Sequence, residues 1–223
     1  MKRILPVLLC LCLLCIPVRA AEEEKLVALT FDDGPSGRFT RRLLEGLEQR
    51  DAKATFLLCG YRMELYPELT RRIYDEGHEI GLHGYSHCCM SKMTAAELHE
   101  EIRKTMALIP EECSVAFLRP PGGMGGEITC AEAAEWNLSV LYWSVDPRDW
   151  ATDDTDTIVR RVMQDVEDGD VILLHDMSDS SVDAALTIVD RLQQLGFRFV
   201  TVSELAAEKG ITMTPGEEYY ALR

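Results

Sequence analysis

From Leu26 onward, short apolar runs rich in β-branched residues alternate with longer stretches whose apolar positions recur every three to four residues. The runs predict strands at Leu26–Phe31, Ala54–Cys59, Glu79–His83, Ala116–Arg119, Ser139–Val145, Val171–His175 and Phe197–Val202. Val171-Ile-Leu-Leu174 carries no polar alternation, the pattern of a strand buried on both faces. The intervening stretches predict helices over Phe39–Arg50, with Leu43, Leu44 and Leu47 on one face, and over Glu68–Glu76, stopped by Gly77. A third begins at the capping box Thr94-Ala-Ala-Glu97 and runs to about Ile109. Two more cover Asp156–Glu167 and Val182–Leu195, the last stopped by Gly196. Seven strands alternating with helices predict a parallel sheet in a single α/β domain, either doubly wound or curled toward the eightfold barrel. In both architectures chemistry collects at the carboxyl ends of strands.

The first 20 residues break this pattern. Lys2 and Arg3 precede a 15-residue apolar run, Ile4–Val18, and Val18-Arg19-Ala20 places small residues where a signal peptidase reads. The run is short for a membrane span of about 20 residues. It predicts a secretory signal peptide over residues 1–20, ahead of a domain at 21–209 and a C-terminal tail at 210–223. A retained anchor helix is the alternative. A lipidated Cys15 would follow the bulky Leu14 rather than a small residue. Removal of the leader takes away Lys2, Arg3 and Arg19 and no acid, moving the net charge from −15 to −18. Such an acidic chain is repelled by phosphate backbones, which argues against a nucleic-acid partner. With 47% apolar and 27% charged residues, the chain has the makings of a packed core rather than a disordered segment. Cys59, Cys88, Cys89, Cys113 and Cys130 remain after cleavage. Their odd number and spacing describe no disulfide scaffold, and the default expectation is small buried hydrophobes.

Polar residues gather where the predicted strands end. The first ends in Thr30-Phe-Asp32-Asp33-Gly34, two adjacent carboxylates that call for a cation if buried, or else a solvated Asp-Gly turn. The third ends in His83-Gly-Tyr-Ser-His87, holding two of the five histidines at a spacing known to chelate zinc. Two imidazoles and one carboxylate leave a coordination position open for water, as a catalytic metal requires. Cys88 and Cys89 are rival soft ligands that would instead close the site and make it structural. Further strand ends carry Arg119-Pro-Pro-Gly122-Gly123, Asp146-Pro-Arg-Asp149-Trp150 and Leu173-Leu-His175. Trp150 reads either as a platform for a sugar or as a core filler, and a lone His175 as catalytic or structural.

These five segments, in this order, resemble the polysaccharide deacetylase family, also called the NodB homology domain or carbohydrate esterase family four. The closing Gly196-Phe-Arg-Phe-Val-Thr-Val-Ser-Glu-Leu205 is similar as well, so the resemblance covers about residues 26–206. It implies a distorted (β/α) barrel with about seven parallel strands and a metal-dependent N-deacetylase of glycans. It further implies Asp32 as general base, Asp33, His83 and His87 as metal ligands, and Arg119 orienting Asp32. Asp149 would orient His175 as general acid, the Gly122 amide would bind the oxyanion, and Trp150 and Leu173 would line the acetyl pocket. The metal is expected to be zinc, with cobalt or another divalent ion also suited to the ligands. The partner implied is an acetylated glycan met outside the cytoplasmic membrane, in secreted or envelope-bound form, with no membrane span left after cleavage. Two positions depart from the family pattern. Gly84 stands where a Ser or Thr hydroxyl commonly braces the loop, and Gly122 where an aromatic commonly walls the groove. An O-acetyl glycan esterase with the same site, an inactive glycan-binding module and a structural zinc domain are the competing readings.

Overall fold

A computed structural model describes residues 24–223; the expected signal peptide, residues 1–20, lies outside the described residues. In chain order the elements are β1 (Lys25–Asp32), α1 (Gly37–Glu48), β2 (Thr55–Leu58), α2 (Gly60–Leu65), α3 (Pro67–Asp75) and β3 (Glu79–Leu82). Then follow α4 (Ala95–Met106), β4 (Phe117–Leu118), α5 (Glu127–Glu135), β5 (Ser139–Leu141) and α6 (Thr155–Asp165). The chain closes with β6 (Val171–His175), α7 (Asp179–Gln194), β7 (Phe197–Val200), α8 (Val202–Glu208) and β8 (Glu218–Tyr219). The strands form a parallel sheet in the order β6-β1-β2-β3-β4-β5-β8, and β7 pairs with the first half of β1 through Lys25–Ala28. The sheet curls until Val145, beyond β5, bridges Ile172 of β6. The result is the expected distorted barrel. No helix among the described residues is long and apolar enough to cross a membrane.

Periodicity explains most of this. Leu43, Leu44 and Leu47 of α1 are all fully buried, and each such side chain contributes about 1.5–3 kcal/mol by leaving water. Phe31 of β1 stacks on Phe56 of β2, 5.3 Å between centroids, inside the main core. The capping box at Thr94 and Glu97 forms as predicted.

Elements the pattern did not predict share a physical cause. α5 buries only Thr129 and Ala133, so it has no apolar stripe to read. α2 is six residues long, and β8 has two. α8 starts where the last strand was expected to continue, because Thr201 and Glu204 form a second capping box that ends β7 at Val200. β5 stops at Leu141 rather than Val145, since the carbonyls of Leu141 and Tyr142 accept hydrogen bonds from a buried guanidinium instead of a neighbouring strand. Residues 210–223 are tied into the barrel: β8 pairs in parallel with β5, and Ala221 bridges Asp170 just ahead of β6. Among the described residues the five cysteines are all free, yet only Cys59 is buried; Cys88 is exposed, against the expectation of small core residues.

Candidate active site

The carboxyl ends of β1, β3, β4, β5 and β6 converge on a cleft of about 350 Å³. Of the ten residues expected at the site, Asp32, Asp33, His83, His87, Gly122, Trp150, Leu173 and His175 line it. The other two, Arg119 and Asp149, are buried and act on the cleft through their neighbours.

Asp32 ends β1 and is 3% exposed. The fully buried Arg119, one residue past β4, donates from Nη1 to Asp32 Oδ1 at 2.7 Å and to Thr30 Oγ1 at 2.8 Å. Its other donors go to the carbonyls of Leu141 (Nε, 3.1 Å) and Tyr142 (Nη2, 2.8 Å). The charge is thereby paired, and each named donor ends on an acceptor, which a buried guanidinium needs.

Asp33 and His87 both adopt left-handed backbone, with φ of 72° and 59°. Such conformations cost a non-glycine residue energy and gather at functional sites. Asp33 Oδ1 lies 2.9 Å from His87 Nε2 and 3.3 Å from His83 Nε2, and the three residues present ligand atoms within 4.8 Å of one another. His83 Nδ1 is 2.8 Å from the carbonyl oxygen of Arg119. A carbonyl only accepts, so Nδ1 carries the hydrogen and Nε2 turns a lone pair toward the carboxylate. Asp33 Oδ1 is buried without a well-formed hydrogen bond. A lone pair facing an unsatisfied anionic oxygen is repulsive until a cation sits between them, so the donor set fits a divalent metal. No cysteine joins this cluster among the described residues.

The loop between the two histidines is braced after all. Glu101 of α4 accepts from the Tyr85 and Ser86 amides, both at 2.8 Å and both on Oε2. Gly84 makes room for it. Its φ is 77°, and a Cβ there would sit 3.3 Å from Glu101 Oε2 and 3.0 Å from Met90 Cε. A helix carboxylate thus does what a side-chain hydroxyl at position 84 would do.

His175 ends β6. Its Nδ1 is 2.8 Å from Asp149 Oδ1, and its backbone N–H donates to Asp149 Oδ2 at the same distance. Burial pushes the imidazole down, but the Asp149 hydrogen bond and charge outweigh it and raise the group to about 9. Trp150 is 66% exposed, which excludes a core filler, and the buried Leu173 faces the same cleft. Two residues not expected at the site, Trp143 and Asp146, also line the cleft. Trp143 leans over the glycine loop, 3.0 Å from where a Cβ on Gly123 would be, and supplies an aromatic wall beside Gly122. Asp146 belongs to a motif already singled out; Trp143 lies in a strand-like run and has no local signal.

The chain matches the family model described as polysaccharide deacetylase over residues 19–141. It is 37% identical over 190 residues to the peptidoglycan-N-acetylmuramic acid deacetylase PdaC of Bacillus subtilis (strain 168), covering 84% of this chain and 40% of that one. The chain therefore spans about two fifths of that relative's length. It is also 37% identical over 193 residues to a peptidoglycan-N-acetylglucosamine deacetylase of Bacillus cereus (strain ATCC 14579), covering 84% of this chain and 91% of that one. Among solved structures, a family 4 acetyl xylan esterase from Clostridium thermocellum in complex with a cobalt ion superposes with a TM-score of 0.82 at 32% identity, over 89% of this chain and 99% of the other.

Proposed function

The chain belongs to the polysaccharide deacetylase family, and from that premise we propose that it is a metal-dependent hydrolase removing N-acetyl groups from a peptidoglycan- or chitin-like glycan. The observation that carries this reading is the juxtaposition, in one cleft, of the Asp33–His83–His87 cluster, Asp32 clamped by Arg119, and His175 held by Asp149.

A divalent ion held by Asp33, His83 and His87 would polarise the acetyl carbonyl and acidify water, bringing its pKa from 15.7 toward about 7. Asp32 takes the proton of the attacking water, its carboxylate aimed by Arg119. The Gly122 amide donates to the developing oxyanion, a contact worth about 3–4 kcal/mol when well placed. His175 gives its proton to the departing amine. Asp149 keeps that imidazole charged and correctly turned, so the proton is present at neutral pH. Leu173 and Trp150 enclose the acetyl methyl group, and Trp143 replaces part of the wall that Gly122 lacks. The named activities of the peptidoglycan deacetylases and the charged, apolar N-terminal pattern support action on an envelope glycan outside the cytoplasmic membrane.

The likeness to an acetyl xylan esterase supports O-acetyl hydrolysis by the same residues as a second reading. Acetate release by the metal-loaded protein from a panel of N-acetylated and O-acetylated glycans separates the two. Release from N-acetylated chains above all is the expected result. Release confined to O-acetylated xylan would establish the esterase, and no release from any member would leave only a binding module.

A further inference from the structure

The sequence pattern marks residues 210–223 as no more than a tail, yet their last eight residues pair with β5 and with Gly169 and Asp170, just ahead of β6. Tyr142 lies one residue beyond the end of β5. Its N–H donates to the Tyr219 carbonyl at 2.7 Å, and its own carbonyl accepts from Arg119 Nη2 at 2.8 Å. Its ring stacks on Tyr220, 4.7 Å between centroids and 9° between planes, and its hydroxyl donates to Glu218 at 3.2 Å. Peptide and ring of Tyr142 are thus fixed from one side by β8 and read from the other by the guanidinium that holds Asp32. At its far end the segment is tied to the start of β6. Leu222 N–H donates to the Gly169 carbonyl at 2.8 Å, and Arg223 pairs with the buried Asp170 at 2.6 Å and with Glu167 at 2.9 Å. β6 is the strand that carries Leu173 and His175.

We infer that Gly216–Arg223 is a positioning strap for the reaction: it fixes the Tyr142 carbonyl, thereby Arg119 and Asp32, and anchors the strand that ends in His175. Tyr220 and Arg223 are its positioning residues, with no contact to the reacting atoms. The inference rests on Asp32 acting as the base proposed above. The metal cluster is held apart from the strap. Asp33 and His87 sit on loops that make no hydrogen bond to it, and the Arg119 backbone that orients His83 is paired to β3 through its N–H to the Leu82 carbonyl at 2.8 Å. Loosening the strap should therefore disturb chemistry and leave metal binding alone. A displacement of about 1 Å at a catalytic group can cost about 10²-fold, so a partial loosening is expected to cost about 10-fold.

The test compares Tyr220→Ala, Tyr220→Phe, Arg223→Met and Asp32→Asn in the full chain, measuring kcat, KM, bound metal and melting temperature on an acetylated chitooligosaccharide. Tyr220→Ala should lower kcat about 10-fold with KM within two-fold and metal content full. Tyr220→Phe, which keeps the stacked ring, should restore kcat. Arg223→Met, at the exposed end of the strap, should show a smaller fall of the same kind. An unchanged kcat in Tyr220→Ala, no recovery in Tyr220→Phe, or a loss of metal in step with activity would overturn the strap. Should Tyr220→Ala not fold, Arg223→Met decides, and wild-type kcat there is the overturning result. Wild-type activity in Asp32→Asn would instead sink the base assignment, which keeps the two failures apart.

Discussion

The carbonyl oxygen of Arg119 lies 2.8 Å from His83 Nδ1, while the Arg119 guanidinium lies 2.7 Å from Asp32 Oδ1. One residue therefore orients the proposed base with its side chain and a proposed metal ligand with its backbone. Side-chain substitution at position 119 should disturb the first role and spare the second.

The two histidines of the cluster should respond differently to removal. His87 has a side chain 42% exposed, so His87→Ala should lose most bound metal and keep its melting temperature nearly unchanged. His83 is buried, so His83→Ala should lose metal and stability together. Metal analysis paired with thermal melts checks both. A full metal complement in His87→Ala would show the ligand assignment to be wrong.

Asp32→Asn should keep its metal and lose activity, because an amide accepts no proton. It should also be destabilised. Arg119 is fully buried with Asp32 as its carboxylate partner, and neutralising one half of a buried pair costs about 3–5 kcal/mol. Denaturant unfolding beside acetate release measures the two effects. Activity within a few-fold of wild type would place the base elsewhere.

Glu101→Ala should weaken metal binding by about 10-fold or more, the usual effect of removing a group that orients a ligand from behind. Its carboxylate holds the Tyr85 and Ser86 amides and hence the loop between His83 and His87. Glu101→Gln, which retains an acceptor oxygen, should recover much of the affinity. Equal affinities in all three proteins by metal titration would remove the brace.

The His175–Asp149 pair should give stability a pH signature. The folded group stands near 9, above its ordinary 6.5, so its contribution, of order 3 kcal/mol, is full below about pH 6.5 and is lost as pH rises through 9. In metal-free protein the stability gap between wild type and Asp149→Asn should accordingly narrow from pH 6 to pH 10. A gap that does not change with pH would contradict the raised imidazole.

His175→Ala should discriminate between leaving groups. An amine needs a proton before the bond breaks, whereas an activated aryl ester expels a phenolate with a pKa near 10. Deacetylation of an amide should fall about 10²-fold or more, with most aryl-acetate hydrolysis spared. Equal losses on both substrates, with a lowered melting temperature, would mark a core histidine instead.

Much of this was legible along the chain. Strand and helix positions follow from apolar spacing, because a buried strand or a helix face must be apolar locally, wherever its partner comes from. The candidate site residues were legible too, since each sits at the end of a predicted strand within a few residues of a recognisable motif. Sequence alone thus determined the alternation of strands and helices and a set of carboxylates, imidazoles and one arginine at matching ends, while spacing left a doubly wound sheet or a barrel open and only the family resemblance pointed to the barrel.

Only the tertiary structure decided what those residues do to one another. Asp32 and Arg119 are 87 positions apart, and Asp149 and His175 are 26 apart, so no local pattern reports a 2.7 or 2.8 Å contact between them. The Glu101 brace, the Trp143 wall and the pairing of β8 with β5 were invisible for the same reason. Glu101 lies in an ordinary amphipathic helix, Trp143 in an apolar run, and β8 spans two residues. Spacing encodes which face of an element is buried. Which carbonyl a buried guanidinium finds, and which carboxylate reaches across to a loop, depends on how distant elements pack, and that is settled only when the barrel closes.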